Sequence, residues 1–234
     1  MIISPTQGYA FVHIHKCAGT SIEIALASRL GVNDLVIGST PGGERLMPLL
    51  ARLTGLRKHS TAAEARAALG AEYWAGLYTF AFVRQPVDRL RSLYTYALAR
   101  AAKRPLDKVE AATLANDGTF PKRPPFRFKA VQAASLVTDF DGFVCHPLTW
   151  QDQGAKPQWQ SLCDDSGRLL VDFVGKVEQI ERDWAVVEQR LGYAVALPHS
   201  NQSRPPLDKP LSPEARARLA EHYARDFEFF GYVL

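Results

Sequence analysis

Apolar residues in this chain gather into short buried-type runs, each followed by helical spacing. Tyr9, Phe11, Val12 and Ile14 form the first, an aromatic and β-branched run of the kind that makes a central strand. Small residues between His15 and Gly19 break it, and Ile22, Ala25, Leu26 and Leu30 then recur at helical spacing. Thr20 and Glu23 have capping-box spacing and are expected to help start that helix. The second run, Tyr78 to Val83, passes into Arg84-Gln85-Pro86, and Pro86 suits the first turn of a new helix. On that helix Val87, Leu90, Tyr94 and Ala97 make one stripe, while Asp88 and Ser92, four apart, share a face. A third strand is predicted over Leu169 to Val174, then a helix through Ile180, Trp184, Val187 and Leu191 that Gly192 ends. Ser212-Pro213-Glu214 opens a last helix reaching Phe227.

The stretches between are less patterned. A Gly/Ser/Thr/Pro segment from Gly38 to Gly43 leads to a short helix around Glu44 to Leu53. Thr61 with Glu64 repeats the capping-box spacing, which leaves His59 on the loop just before a helix. Leu106 to Ala115 and Phe128 to Val137 read as helices. Asp141 to Gly167 has little regular pattern; its Trp150, Gln158 and Trp159 would suit an acceptor-binding surface, although two such tryptophans are more often core residues. Strands alternating with helices predict an α/β fold: one domain over residues 1–234, with a central parallel sheet flanked by helices.

This arrangement carries chemistry. A strand–turn–helix aims several backbone N–H groups and the positive end of a helix dipole at one spot, which makes an anion site. Lys16 adds a full charge to the first such turn, and Arg84 does the same at the second. In a parallel sheet both turns fall at the same edge, where ligands of open α/β folds bind.

Composition changes the picture little. Apolar residues at 47% and charged residues at 22% are ordinary for a soluble globular protein. A formal charge of +4 is mildly basic; it suits an anionic small molecule or glycan and gives no reason to expect nucleic acid. No apolar run approaches the ~20 residues of a membrane span and no signal-peptide pattern opens the chain, so a cytoplasmic protein is expected. Cys17, Cys145 and Cys163 are odd in number and lack C-x-x-C spacing, which points to neither a disulfide framework nor a zinc site.

The two turns carry a resemblance. FVHIHKCAGTSI resembles the 5'-phosphosulfate loop of sulfotransferases that use 3'-phosphoadenosine-5'-phosphosulfate (PAPS), and FAFVRQPVDRLRSLY resembles their 3'-phosphate segment. VDFVGKVEQIERDW, HSNQSR and YARDFEFFGY match more weakly in the same order, so the chain is similar to the carbohydrate branch of that family over nearly its whole length. The resemblance implies a P-loop NTPase-like sulfotransferase fold and transfer of a sulfuryl group from PAPS to a hydroxyl on a small molecule or glycan, without a metal. Lys16, Cys17, Ala18, Gly19, Thr20 and Ser21 would hold the 5'-phosphosulfate, Arg84 and Ser92 the 3'-phosphate, and Asn201 and Ser203 would lie in a loop closing over the nucleotide. Lys16 would also neutralise the leaving group. His59 is the candidate base, because KHSTA resembles the segment that carries the base in some relatives and a histidine titrates near neutrality. Two positions depart from the pattern: His15 stands where proline is common, and Cys17 where threonine is common.

Two other functions remain open on the sequence. A kinase-like P-loop enzyme is disfavoured, because Lys16 precedes the loop glycine rather than following it as in G-x-x-x-x-G-K-[ST]. A non-catalytic module for acidic glycans would use basic patches such as Lys122–Arg123, but has no need of two separate phosphate turns.

Overall fold

The computed structural model describes residues 1–198 and 210–234, and they form two compact units. In chain order the first stretch gives β1 (Ile2–Ser4), β2 (Tyr9–Val12), α1 (Gly19–Ala27), β3 (Leu35–Val36), α2 (Pro41–Thr54), α3 (Ala62–Leu69), α4 (Ala71–Ala75) and β4 (Tyr78–Val83). Then come α5 (Pro86–Lys103), α6 (Lys108–Asp117), α7 (Lys129–Leu136), α8 (Phe140–Cys145) and α9 (Pro147–Trp150). The chain finishes with α10 (Trp159–Leu162), β5 (Phe173–Lys176), α11 (Ile180–Leu191), α12 (Pro213–His222) and α13 (Ala224–Phe230). The first unit takes residues 1–85 and continues from Gln158; the second takes 86–157 and the C-terminal helices.

The first unit is built on a five-stranded sheet in the order β3-β1-β2-β4-β5. Its heart is parallel as expected: β2 pairs β4 (Phe11↔Phe80) and β4 pairs β5 (Ala81↔Val174). The sheet as a whole is mixed, with antiparallel strands added at one side of the parallel centre. β1 runs antiparallel to β2 (Ile3↔Ala10) and β3 antiparallel to β1 (Ile3↔Leu35). The tight turn between Ser4 and Tyr9 permits only an antiparallel neighbour, since parallel strands need a crossover. Both faces of the central strands are covered, hence their unbroken apolar runs. On one face Tyr9, Phe11, Phe80 and Phe82 meet Ile22 and Leu26 of α1 and Trp184 and Val187 of α11. On the other, Ala10, Val12, Ala81 and Val83 are equally buried. Burial of each large side chain contributes about 1.5–3 kcal/mol, so this layer fixes where β2 and β4 end.

The second unit is helical. Val87, Leu90, Tyr94 and Ala97 of α5 form the predicted stripe and, with Leu93 beside them, pack with Ala130 and Val131 of α7, Phe140 and Phe143 of α8, and Leu219 of α12. Arg89 lies in this core at 1% exposure: Nη1 donates to the Gly154 carbonyl at 2.9 Å and Nη2 to that of Lys156 at 2.6 Å. Trp150 is also a core residue rather than a glycan platform; its Nε1 donates to the Val144 carbonyl at 3.0 Å and its ring packs on His222 and Tyr223. The predicted last helix breaks at Tyr223 into α12 and α13, capped at its start by Ser212, whose side chain accepts the Ala215 N–H.

Candidate functional site

The site candidates of the first unit gather where β2 and β4 end. After Val12 the chain turns sharply, with Lys16 at φ 65° and Ala18 at φ 58°. Neither residue type favours the left-handed region, which costs each on the order of 1 kcal/mol. Left-handed residues of this kind are among the conformations from which backbone anion nests are built. Ala18 is the N-cap of α1 and provides no side-chain cap, so the helix opens with its donors uncovered by its own cap residue. The capping-box expectation for Thr20 and Glu23 fails at this point, because the Glu23 carboxylate is committed elsewhere.

Glu23 is wholly buried and accepts two hydrogen bonds: from the Met1 amino group and, at 2.8 Å, from His13 Nδ1. Burial works to raise its pKa, but His13 and the amino terminus outweigh that and bring it to about 2. Burial lowers His13 to about 4, so it is neutral at pH 7. His13 is therefore a post under the loop rather than a ligand. A Cβ at Gly19 would come within 2.2 Å of His13 Cδ2, so position 19 admits only glycine while the ring keeps its place. The glycine of the loop thus serves close approach, not conformation.

His59 reaches the same place from the loop before α3, whose capping box of Thr61 and Glu64 forms as predicted. Its Nδ1 lies 2.9 Å from the His13 carbonyl oxygen. A carbonyl only accepts, so Nδ1 carries the proton and Nε2 holds the lone pair. The His59 ring stacks on His15 with centroids 3.5 Å apart and stands edge-on to His13 at 4.5 Å. His15, in the position where proline is common, is thus the platform for the candidate base. Burial, then the nearby His13 and His15, push the His59 pKa well below the usual histidine range. The near-neutral value expected from sequence is corrected in that direction: His59 stays neutral well into the acid range.

Lys16 is half-buried, and its pKa is lowered from 10.5 to about 8, first by burial and then by the Arg84 charge, with Cys17 acting against them. Arg84 follows the last residue of β4 and belongs to the same unit, so one spot draws a lysine and an arginine together. Each cation makes the charged form of the other more costly. Cys17 is buried and its thiol turns into the protein, 3.2 Å from Gln158 Oε1 and 3.5 Å from the His15 carbonyl. Gln158 itself is 0% exposed, so the expectation that it sits on an acceptor surface is corrected.

Three further residues were not singled out by sequence. Ser39, at φ 56°, places its hydroxyl 3.4 Å from Thr20 Oγ1, and its N–H donates to Glu44 at 3.1 Å. Lys58 pairs with Glu44 at 3.3 Å, and its stem packs against Gly38, where a Cβ would meet it at 2.6 Å. The Gly/Ser/Thr/Pro stretch was the only local signal for this corner. Of the remaining candidates, Ser21 is buried on α1. Ser92 lies on α5 of the second unit, where Asp88 pairs with Arg91 at 3.4 Å. Asn201 and Ser203 lie outside the described residues. Among the described residues no cluster of three or more His, Cys, Asp or Glu side chains could hold a metal ion, and no helix is long and apolar enough to cross a membrane.

A lysine and an arginine thus stand just past the ends of two central strands, β2 and β4, of a mixed α/β sheet. The model of the sulfotransferase family, of the carbohydrate type, matches residues 1–233, and the chain belongs to that family. Searches of curated proteins and of solved structures returned no match.

Proposed function

We infer that this sulfotransferase takes its sulfuryl group from PAPS and delivers it to an acceptor hydroxyl, with Lys16 and His59 as the reacting side chains. The observation that carries the reading is the turn after β2: left-handed Lys16 and Ala18, an α1 N-terminus without a side-chain cap, and a lysine whose pKa burial and Arg84 depress. That set fits a bound polyanion, because helix-start N–H donors and two cations, Lys16 and Arg84, converge at the turn. The residues that would hold the 5'-phosphosulfate are Lys16 to Ser21, and Arg84 would serve the 3'-phosphate.

The donor, when bound, supplies a sulfuryl group whose bond to the phosphate oxygen breaks as the acceptor oxygen bonds to sulfur. The chain contributes position and charge, as in phosphoryl transfer. Lys16 neutralises the negative charge that grows on the departing phosphate oxygen. His59 Nε2, left as the acceptor by the Nδ1 bond to His13, takes the proton of the attacking hydroxyl. The carbohydrate type of the family makes a sugar hydroxyl the acceptor to test first.

A thermal-shift comparison tests the donor. The product nucleotide 3'-phosphoadenosine-5'-phosphate (PAP) should stabilise the protein by several degrees at 100-fold excess over Kd, from about 2.7 kcal/mol of linkage, and ADP should do so far less. Stabilisation by ADP alone would sink the PAPS reading, and no shift with either nucleotide would favour a module that only binds acidic glycans.

A further inference from the structure

The geometry points to Gln158 as a positioning residue that locks the Lys16–Cys17 loop to the Arg84 turn, with Cys17 as its partner in the loop. This rests on the donor reading of those two turns. The β2–β4 ladder stops at Val12↔Ala81 and the β4–β5 ladder at Val83↔Lys176, so Arg84 lies past the end of both. Its peptide groups are satisfied by a side chain instead. Gln158 Oε1 accepts the Arg84 N–H at 2.8 Å, and Gln158 Nε2 donates to the Arg84 carbonyl at 2.8 Å. A carboxamide has the planar donor–acceptor layout of a peptide unit, so Gln158 extends the sheet by one residue exactly where Arg84 must be aimed.

The same Oε1 has a second lone pair, and the Cys17 thiol occupies it at 3.2 Å. One amide oxygen is therefore shared by the loop at the end of β2 and the turn at the end of β4. With Gln158 0% and Cys17 1% exposed, water does not compete for either bond. The departure from threonine at position 17 has a physical reason here: the thiol serves as a donor to Gln158, and the loop's anion contacts fall to its backbone. Glutamate at 158 would lose the donor to the Arg84 carbonyl and bury a charge; methionine would keep the volume and lose all three bonds.

The test is PAP affinity by titration calorimetry, read beside thermal stability, for Gln158→Met, Cys17→Ala, Cys17→Ser and the double variant Cys17→Ala/Gln158→Met. Gln158→Met should weaken PAP binding tenfold or more, Cys17→Ala about threefold, and Cys17→Ser should recover most of that loss. The double variant should bind no worse than Gln158→Met alone, because the thiol acts through the amide. Wild-type affinity in folded Gln158→Met, or full additivity of the two changes, would overturn the proposal. A lowered melting temperature with unchanged affinity would also overturn it, since that is a packing role only. If Gln158→Met does not fold, the Cys17→Ala loss and its recovery by serine decide the matter. If the wild type binds no PAP, the donor reading fails on its own, and the lock is judged by the same double-variant cycle in urea stability: coupling keeps it, additivity removes it.

Discussion

Lys16→Met should yield a protein that is more stable than the wild type and almost inactive. The activity loss follows from the charge that Lys16 is placed to neutralise. Removing one such donor costs about 2.7–4 kcal/mol, a hundredfold to thousandfold in kcat. The gain in stability follows from its lowered pKa. A lysine at about 8 in the native state and 10.5 when unfolded is charged at the expense of the fold below pH 8. Roughly 1–3 kcal/mol is recovered by a methionine of similar shape, after allowing for partial solvent contact. The sign also fixes a pH dependence. Between pH 8 and 10.5 the unfolded chain binds more protons than the native one, so wild-type stability should gain a rising contribution from Lys16 across that window. Urea titrations at pH 7 and 9.5 should show that contribution in the wild type and not in Lys16→Met. PAP affinity should fall over the same interval in the wild type as Lys16 loses its proton. A variant less stable than wild type at pH 7 would contradict the buried-cation account.

His59→Asn should abolish turnover, by 10²–10⁴-fold for a lost general base, while PAP binding by calorimetry stays within about twofold. Asparagine can keep a donor to the His13 carbonyl but offers no basic nitrogen. The pH profile carries independent information. Because burial, His13 and His15 lower the His59 pKa, the base remains unprotonated below the pH at which an ordinary histidine titrates. The acid limb of kcat/KM, which reports the free enzyme, should therefore lie below pH 6 rather than near 6.5. Retained turnover in His59→Asn would remove this residue from the mechanism.

The elements that position these groups were legible because each announces itself locally. YTFAFV is buried on both faces and reads as a strand without help. Gly192 ends α11 in a left-handed C-cap, and Thr61 with Glu64 closes the predicted capping box. β1 and β3, of three and two residues, are too short for periodicity to register. Glu23 shows how spacing misleads: its distance from Thr20 suggests a cap, but a buried amine 22 residues away and His13 claim the carboxylate. Gln158 was legible only as an acceptor-surface candidate; its bonds to Arg84 were not, since that partner is 74 residues distant and the neighbours of Gln158 carry no period. The Lys16 loop was legible through its motif; what holds it in place was not, because those contacts are long-range and made by residues of unremarkable type.

The pairing of β2 has a consequence for the order in which the molecule assembles. β2 is joined to β1 across a short turn (Ser4↔Tyr9), whereas its other neighbour, β4, lies a whole segment away in the chain (Tyr9↔Tyr78). Closing the first contact needs far less chain entropy than closing the second, and local contacts form faster. Pulse-labelled hydrogen exchange during refolding should find amides at the β1–β2 pairing protected before those between β2 and β4; simultaneous protection would mean that the hairpin has no separate lifetime. The strand that leads into the Lys16 turn is then the first to find a neighbour, and the Arg84 turn is delivered to it afterwards.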